Sequence, residues 1–193
     1  PDLVALITYG DRATVRSHLV SAFDPSFATT VSKLDKITPG YTNTAAGLRA
    51  GVDLLSQAPR GLRRRLWLLS DGAANVDVSG ITPQVQRARK AWININCVAF
   101  GDRREFDERA LRAIAAGTHN GKYMEATTAE ALSTVFRKAA GRRGGRFSKG
   151  EATAFVIDTS GSMFFQKMNG RSRIEVVKSA MFGLLTYKQR VWS

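Results

Sequence analysis

Three oxygen-bearing side chains near the end of the sequence are spaced so that they could bind one metal ion. In the stretch FVIDTSGSM, Asp158, Ser160 and Ser162 directly follow an apolar run that is typical of a buried strand. Alternate residues of an extended segment point the same way, and Gly161 allows a tight turn between them. One carboxylate and two hydroxyls are oxygen ligands that suit a hard cation such as Mg²⁺, Mn²⁺ or Ca²⁺.

Two other stretches carry oxygens that could complete the coordination of the same ion. Thr42 lies in GYTNTAAGLR, just before a predicted helix, and Asp71 follows the apolar run LWLL. In open parallel sheets, ligands bind beyond the carboxyl ends of the strands, where these loops are predicted to meet. Thr42 and Asp71 are therefore predicted to bind the ion directly or through water. Asp11 and Asp102 also follow predicted strands, but for both the preferred interpretation is a role in the turn itself.

The charge of such a site predicts binding and not a reaction. Hydroxyl ligands are neutral, so an ion that is bound directly by only one carboxylate remains electron-poor. It would then favour an anionic ligand from outside, and the natural donor is an Asp or Glu carboxylate of a partner protein. The sequence therefore predicts a non-enzymatic, protein-binding module. The alternative interpretation is that Asp158, Ser160 and Ser162 only cap the following turn.

Composition excludes several other kinds of site. The 193 residues contain one cysteine, Cys97, and two histidines, His18 and His119. A disulfide within the chain is therefore excluded, and a metal site built on Cys or His nearly so. No apolar run approaches the roughly 20 residues of a membrane span. The G-x-S-x-G motif of serine hydrolases, the Gly-rich phosphate loop and the paired loops of aspartic proteases are also absent.

The net charge of +13 favours anionic partners in general. Basic residues cluster at positions 60–65, in PRGLRRRLW, and at positions 142–149, in GRRGGRFSKG. Neither cluster has the interleaved aromatic residues that stack on bases. The preferred interpretations are a solvated face and a linker, and nucleic-acid binding is the least favoured function.

The candidate ligands need a sheet that brings their loops together, and the rest of the sequence predicts one. Strands alternate with helices and are too apolar to face water on one side. This pattern predicts an α/β, Rossmann-like, three-layer fold with a mostly parallel central sheet flanked by helices. The predicted strands are residues 3–9, 13–20, 66–69, 93–100, 122–125 and 152–157. The predicted helices are residues 29–37, 44–56, 82–91 with Thr82 as the cap, 107–116, 128–140 and 173–189, with a loop at residues 164–172.

These motifs resemble those of von Willebrand factor type A domains, including the integrin inserted domains. DTSGS at residues 158–162, Thr42 in GYTNTAAGLR and Asp71 in LLSDG match the metal-ion-dependent adhesion site of that family. LVALITYGD is similar to the second strand of the family, LWLLSDG to the fourth and INCVAFGD to the fifth. The resemblance implies one Mg²⁺ and a partner carboxylate that completes its coordination. The implied ligands are Asp158, Ser160, Ser162, Thr42 and Asp71. As an alternative, the resemblance implies a non-catalytic subunit or domain of a larger ATPase- or chelatase-type assembly.

The order of the elements departs from that of the family. The family begins with the DxSxS strand and its helix, whereas here that unit comes last, at residues 151–193. We expect a single, circularly permuted domain over residues 1–193. Residues 1–140 would run from the second strand to the last helix, and residues 141–150 would form a basic, Gly-rich linker. A monomer is expected, with a domain-swapped dimer and a fragment cut across two tandem copies as the alternatives. The sequence indicates no cellular compartment.

Overall fold

A six-stranded sheet forms the centre of the protein. The computed structural model describes residues 2–139 and 150–192. The strands of the sheet are β1 (Leu3–Tyr9), β2 (Ala13–Ser21), β3 (Arg63–Ser70), β4 (Ile93–Phe100), β5 (Tyr123–Ala126) and β6 (Glu151–Asp158). Their order across the sheet is β2-β1-β6-β3-β4-β5, so the strand of this sheet that comes last in the sequence, β6, lies in its interior.

Parallel pairing dominates this sheet. Strand β6 pairs in parallel with β1 on one side and with β3 on the other, and β3–β4 and β4–β5 are also parallel. Only β2, at one edge, is antiparallel, because it forms a hairpin with β1. Every residue of β6 is buried, as expected for a strand covered on both faces. The predicted, mostly parallel sheet is confirmed.

Helices cover both faces of the sheet and complete three layers. The helices are α1 (Pro25–Val31), α2 (Thr44–Ser56), α3 (Ile81–Lys90), α4 (Glu108–Ala116), α5 (Ala129–Ala139), α6 (Gly161–Phe165) and α7 (Arg173–Trp192). A separate hairpin consists of β7 (Lys167–Met168) and β8 (Arg171–Ser172). Helices α1, α5 and α7 pack on one face through residues such as Phe27 and Phe136. Helices α2, α3 and α4 pack on the other through residues such as Leu48 and Ile114. The predicted three-layer α/β fold is confirmed, and no helix in the described part of the chain is long and apolar enough to cross a membrane.

The helix predicted over residues 29–37 is wrong in its bounds. Helix α1 begins earlier, after Asp24, whose carboxylate accepts a hydrogen bond from the backbone N–H of Ser26 at 2.8 Å. A separate 3₁₀ turn covers Leu34–Lys36. The capping aspartate and the proline after it start the helix at this point, and the apolar spacing further along did not reveal that start.

Three smaller regions also bear on the prediction. Helix α3 begins at Ile81, so Thr82 lies within the helix and is not its cap. The predicted loop at residues 164–172 contains the hairpin of β7 and β8 and the end of α6. The predicted linker at residues 141–150 lies outside the described residues except for Gly150.

The two ends of the described chain meet at the amino end of the sheet. The Asp2 carboxylate accepts hydrogen bonds from the backbone N–H of Glu151 at 3.1 Å and from the Lys188 ammonium group at 2.9 Å. Lys188 belongs to the C-terminal part of α7, and Glu151 is the first residue of β6. The starts of β1 and β6 and the end of α7 therefore lie in one buried polar cluster.

Candidate metal centre

The pairing of β6 with β3 places the two predicted acidic ligands at the same edge of the sheet. Leu69 of β3 pairs with Ile157 of β6. Asp158 is the last residue of β6, and Asp71 comes directly after β3. Both carboxylates are almost completely buried. Buried carboxylates require hydrogen-bond partners or a cation to offset their lost hydration.

The Asp158 carboxylate is held by two hydrogen bonds from the protein. Its Oδ1 accepts one from the backbone N–H of Ser160 at 2.8 Å, and its Oδ2 accepts one from the hydroxyl of Ser70 at 2.9 Å. The first is a local turn contact, of the kind that the capping interpretation also predicts. The second joins two strand ends, and sequence reasoning missed it. The only signal for Ser70 was its place at the end of an apolar run.

Ser160, Ser162 and Asp71 continue the same network. The hydroxyl oxygens of Ser160 and Ser162 are 3.1 Å apart, and the Ser162 hydroxyl donates to Oδ1 of Asp71 at 2.7 Å. Oxygens from two loops that are distant in the sequence are thus in direct contact. The structure links four of the five predicted ligands, Asp158 included, in one hydrogen-bonded set.

Thr42, the fifth predicted ligand, reaches the same edge of the sheet on another loop. Gly40 attaches this loop to the one after β6, because its carbonyl accepts from the N–H of Gly161 and its N–H donates to the carbonyl of Thr159. Thr42 exchanges two hydrogen bonds with Asn75, at 2.9 and 3.1 Å. Thr42 is buried, and among the described residues its hydroxyl makes no hydrogen bond to the other four predicted ligands.

Asp11 and Asp102 serve the backbone of their loops. Oδ1 of Asp11 accepts a hydrogen bond from the N–H of Tyr41 at 2.8 Å, which fixes the loop that carries the fifth ligand. A Cβ at Gly40 would lie 2.9 Å from the backbone nitrogen of Asp11, so this close approach requires glycine. Oδ1 of Asp102 accepts from the N–H of Arg104 at 3.0 Å. Neither carboxylate belongs to the hydrogen-bonded set described above.

Arg173 contacts the candidate site, and sequence reasoning did not identify it. Its Nη1 donates to Oδ2 of Asp71 at 2.9 Å, and its Nη2 pairs with Glu105. The guanidinium packs on Gly101, where φ is +116° and a Cβ would lie 2.7 Å from Cζ of Arg173. Both oxygens of Asp71 are therefore engaged, one by Ser162 and the other by Arg173. The arginine stands at the start of an amphipathic helix, where nothing in the local sequence marks such a contact.

The electrostatics of this cluster favour a bound cation. Burial, and next the neighbouring Asp71 carboxylate, raise the pKa of Asp158 to about 7. Burial also raises the pKa of Asp71, although hydrogen bonds from Arg173 and Ser162 act in the opposite direction. A divalent cation beside both carboxylates would stabilise their ionised forms. Carboxylate and hydroxyl oxygens are donors that fit a hard cation such as Mg²⁺.

Other kinds of metal site have little support. Within residues 2–139 and 150–192, no three or more His, Cys, Asp or Glu side chains form a group that could hold a metal. A metal site in this part of the chain therefore depends on hydroxyl ligands. Cys97 is buried, and burial raises the pKa of its thiol well above the ordinary value. This agrees with the interpretation of Cys97 as a small core residue.

Comparison with known proteins gives one family match and several structural likenesses. The family model of the von Willebrand factor type A domain matches residues 2–138. BatB from Bacteroides thetaiotaomicron, a conserved hypothetical protein, has a TM-score of 0.56 and 14% sequence identity, over 69% of this chain and 76% of that chain. Proximal thread matrix protein 1 from the mussel byssus, in its crystal form 2, has a TM-score of 0.50 and 24% identity, over 68% of this chain and 32% of that chain.

A second structure of the mussel protein, described as having a zinc-occupied MIDAS motif, has a TM-score of 0.49 and 24% identity, over 64% of this chain and 30% of that chain. At these identities the likenesses concern the fold alone. No curated protein has a sequence that matches the chain significantly.

Proposed function

Because the chain belongs to the von Willebrand factor type A domain family, we propose that it is a protein-binding module whose binding depends on a divalent metal ion. The ion would be Mg²⁺, with Mn²⁺ or Ca²⁺ as alternatives, in a complete metal-ion-dependent adhesion site. Its ligands would be Asp158, Ser160, Ser162, Thr42 and Asp71. The proposal rests on the hydrogen-bonded set at the ends of β6 and β3, in which Oγ of Ser162 lies 2.7 Å from Oδ1 of Asp71. The proposed role is binding, without catalysis.

The two acidic residues would have different roles. Within the described part of the chain, the hydrogen-bond donors to Asp158 are the neutral groups of Ser70 and Ser160, so its charge is available to the ion. Asp71 shares its charge with Arg173 and is also bonded by Ser162, which favours a contact to the ion through water. The bound ion would supply an electron-poor position for a carboxylate from outside. The hydroxyl ligands orient that position and add no negative charge.

Two exposed aromatic side chains support a protein as the partner. Tyr41 is 67% exposed and Phe165 is 77% exposed. Tyr41 directly precedes Thr42, and the ring of Phe165 lies 3.5 Å from where a Cβ at Gly161 would stand. Both therefore flank the loops of the candidate site. Aromatic residues are enriched at protein interfaces, so a partner segment with an Asp or Glu next to apolar residues would complement this surface.

We also propose that the chain is a circular permutation of the family order and folds as a monomer. Strand β6 lies between β1 and β3 although it follows both in the sequence. Asp2 contacts both Glu151 and Lys188, which places the end of α7 beside the start of β1. In the family order, α7 would lead into β1, and this proximity allows a short connection. A swapped dimer or a tandem fragment would instead take β6 from another copy, and light scattering that finds only a dimer would contradict the monomer.

Titration calorimetry tests the metal site. Mg²⁺ and Mn²⁺ are titrated into the wild type, into Asp158→Asn and into Asp53→Asn as the matched control. Asp53 is an exposed acid whose partner is Arg87 on the surface. We expect saturable binding by the wild type and the control, and its loss in Asp158→Asn. Equal binding by all three proteins would refute the site.

A pull-down with candidate partners tests the function itself. Binding that a chelator abolishes and that Mg²⁺ restores supports the proposal. Partner binding that is insensitive to metal but falls steeply with salt would instead support an electrostatic, nucleic-acid-like mode of binding.

A further inference from the structure

A polar cavity lies toward the end of the sheet opposite to the candidate metal centre. Its volume is about 440 Å³, within the range of small-molecule sites. Residues from the amino-terminal halves of β3 and β4 line it, together with the segment leading into β5 and Lys138 in the last turn of α5. The loops of the candidate metal centre follow the carboxyl ends of the strands, so the two sites lie toward opposite ends of the sheet.

The cavity wall is one face of three neighbouring strands. Arg65 and Trp67 alternate along β3 and therefore point to the same side. Their partners across the pairing of β3 with β4 are Asn94 and Asn96. Lys122, just before β5, lies next to Asn96 and donates its backbone N–H to that side chain. Toward the amino ends of β3 and β4, the face of the sheet that carries these side chains is therefore mainly polar.

Asn94 and Asn96 each use their amide oxygen in a contact with the backbone. Oδ1 of Asn94 accepts the backbone N–H of Asn120 at 3.2 Å, and Oδ1 of Asn96 accepts the backbone N–H of Lys122 at 3.1 Å. Because the two backbone groups are donors, the oxygen of each amide must face them. The NH₂ group of each amide is then left for another partner.

Trp67 adds a donor that lacks a partner. Its side chain lines the cavity, and the residue is only 5% exposed. Among the described residues, none accepts a hydrogen bond from its buried Nε1. An indole N–H can only donate, and leaving it unpaired in the interior is unfavourable. An acceptor bound in the cavity would remove that cost.

The charges around the cavity are mainly positive. Arg63, Arg65, Lys122 and Lys138 line it. Among the described residues, the carboxylate that pairs with them is Glu151, whose Oε2 lies 3.1 Å from Nε of Arg65 and 3.9 Å from Nη2 of Arg63. Neither lysine forms an ion pair within the described residues. A guanidinium has five N–H donors, so both arginines keep donors free.

From these donors we propose that the cavity binds a small molecule carrying a phosphate group. Apart from the side-chain amide of Asn120, which can both donate and accept, the polar side chains of the wall offer donors or cations, so they favour a ligand that is an acceptor and an anion. One carboxylate does not balance the four cations, and a phosphate monoester brings a charge of about −1.5 to −2 with three acceptor oxygens. This inference is independent of the proposed metal site and does not involve its loops.

The test uses inorganic phosphate and adenosine monophosphate as probes on the full chain, with chloride at matched ionic strength as the reference. The readout is the ¹H–¹⁵N signal of the Trp67 indole, identified by its loss in Trp67→Phe. We expect a saturable shift of this signal with at least one probe. Binding by inorganic phosphate identifies the phosphate group alone as sufficient, and binding by the nucleotide alone identifies a phosphate ester. No shift with either probe overturns the proposal.

Substitutions distinguish binding in this cavity from a general attraction between the basic protein and an anion. Lys122→Gln/Lys138→Gln removes two cations that are not ion-paired, and we expect at least a tenfold loss of probe affinity. The control Lys90→Gln/Arg109→Gln removes the same charge from exposed positions on α3 and α4 and should bind like the wild type.

Asn94→Asp keeps the acceptor for Asn120 but replaces the free donor with a carboxylate oxygen, so it should also abolish binding. Equal weakening in both double variants would overturn the proposal, as would full affinity in Asn94→Asp.

Discussion

Arg173 and Asp71 form a buried ion pair beside the candidate metal centre, with Nη1 of the arginine 2.9 Å from Oδ2 of the aspartate. The two residues are 102 positions apart in the sequence, and their side chains are 5% and 0% exposed. The pair places a fixed positive charge next to the two buried carboxylates. It therefore competes with, and partly replaces, the charge that a divalent cation would supply.

Replacing Arg173 by Met should destabilise the protein more without Mg²⁺ than with it. The substitution leaves Asp71 buried without its cationic partner, and loss of one partner of a buried pair costs about 3–5 kcal/mol. A bound Mg²⁺ would restore part of the compensating charge. The free energy of unfolding is measured by chemical denaturation in a chelator and in saturating Mg²⁺.

Arg173→Lys is the matched variant for this prediction. It keeps the charge but not the two-pronged contact with Asp71 and Glu105, so its loss of stability should be intermediate. If Arg173→Met loses the same free energy in both conditions, Mg²⁺ does not act on this pair, and the proposed coupling is wrong.

Ser162→Ala should weaken Mg²⁺ binding about tenfold or more, which corresponds to about 1.4 kcal/mol. The change removes one proposed ligand and the hydrogen bond that holds Oδ1 of Asp71. Ser56→Ala is the control, because the Ser56 hydroxyl, at the end of α2, donates to the carbonyl of Val52 in its own helix. Calorimetry gives both affinities. An affinity in Ser162→Ala equal to that of Ser56→Ala would remove Ser162 from the site.

The sequence predicted best the elements whose apolar pattern is continuous. Strand β1 and helix α2 have the predicted bounds, residues 3–9 and 44–56. A strand covered on both faces requires an unbroken apolar run, and a helix on a sheet requires one apolar face. The loop with Asp158, Ser160 and Ser162 was also predictable, because these three residues are close together in the sequence and their spacing can be read directly.

Contacts between distant segments could not be predicted in this way. Ser70 bonds to Asp158 from 88 positions away, and Arg173 reaches Asp71 from another layer of the fold. No local pattern encodes either contact. The sequence indicates a solvated basic face for Arg63 and Arg65, whose side chains are 53% and 25% exposed. It does not show that both belong to β3 and line a cavity. Their role depends on strands that the local sequence does not identify as neighbours.

The contribution of Asp158 to the stability of the Mg²⁺-free protein should fall as the pH rises from about 4 to about 7. The pKa of Asp158 is about 7 in the folded protein, against an ordinary value of 3.8. Between pH 3.8 and about pH 7 the folded protein holds a proton that the unfolded chain has lost. The stabilisation that this proton gives is therefore complete below pH 3.8 and is lost as the pH rises through about 7. Mg²⁺ binds the ionised carboxylate, so its own stabilising effect should grow over the same range.

Thermal or chemical denaturation between pH 4 and pH 8, with chelator or with Mg²⁺, checks this pH dependence. In Asp158→Asn the titrating group is absent, so the slope with pH should be smaller and the effect of Mg²⁺ should disappear. A wild-type slope that is unchanged by the substitution would assign the pH dependence to other groups.

A rearranged chain that begins at Gly150, continues from Ser193 into Pro1 and ends at residue 139 should fold as a monomer and bind Mg²⁺ like the original. The physical reason is that Asp2 lies against Lys188 of α7, so the new join spans a short distance, and the opening falls where β6 begins. Light scattering gives the mass of both chains, and calorimetry compares their Mg²⁺ affinities. If the original chain is a domain-swapped dimer, the rearranged chain should be monomeric while the original has twice its mass. If the rearranged chain does not fold, β6 and β1 are not connected through α7 as the permutation requires, and the proposed family order is wrong.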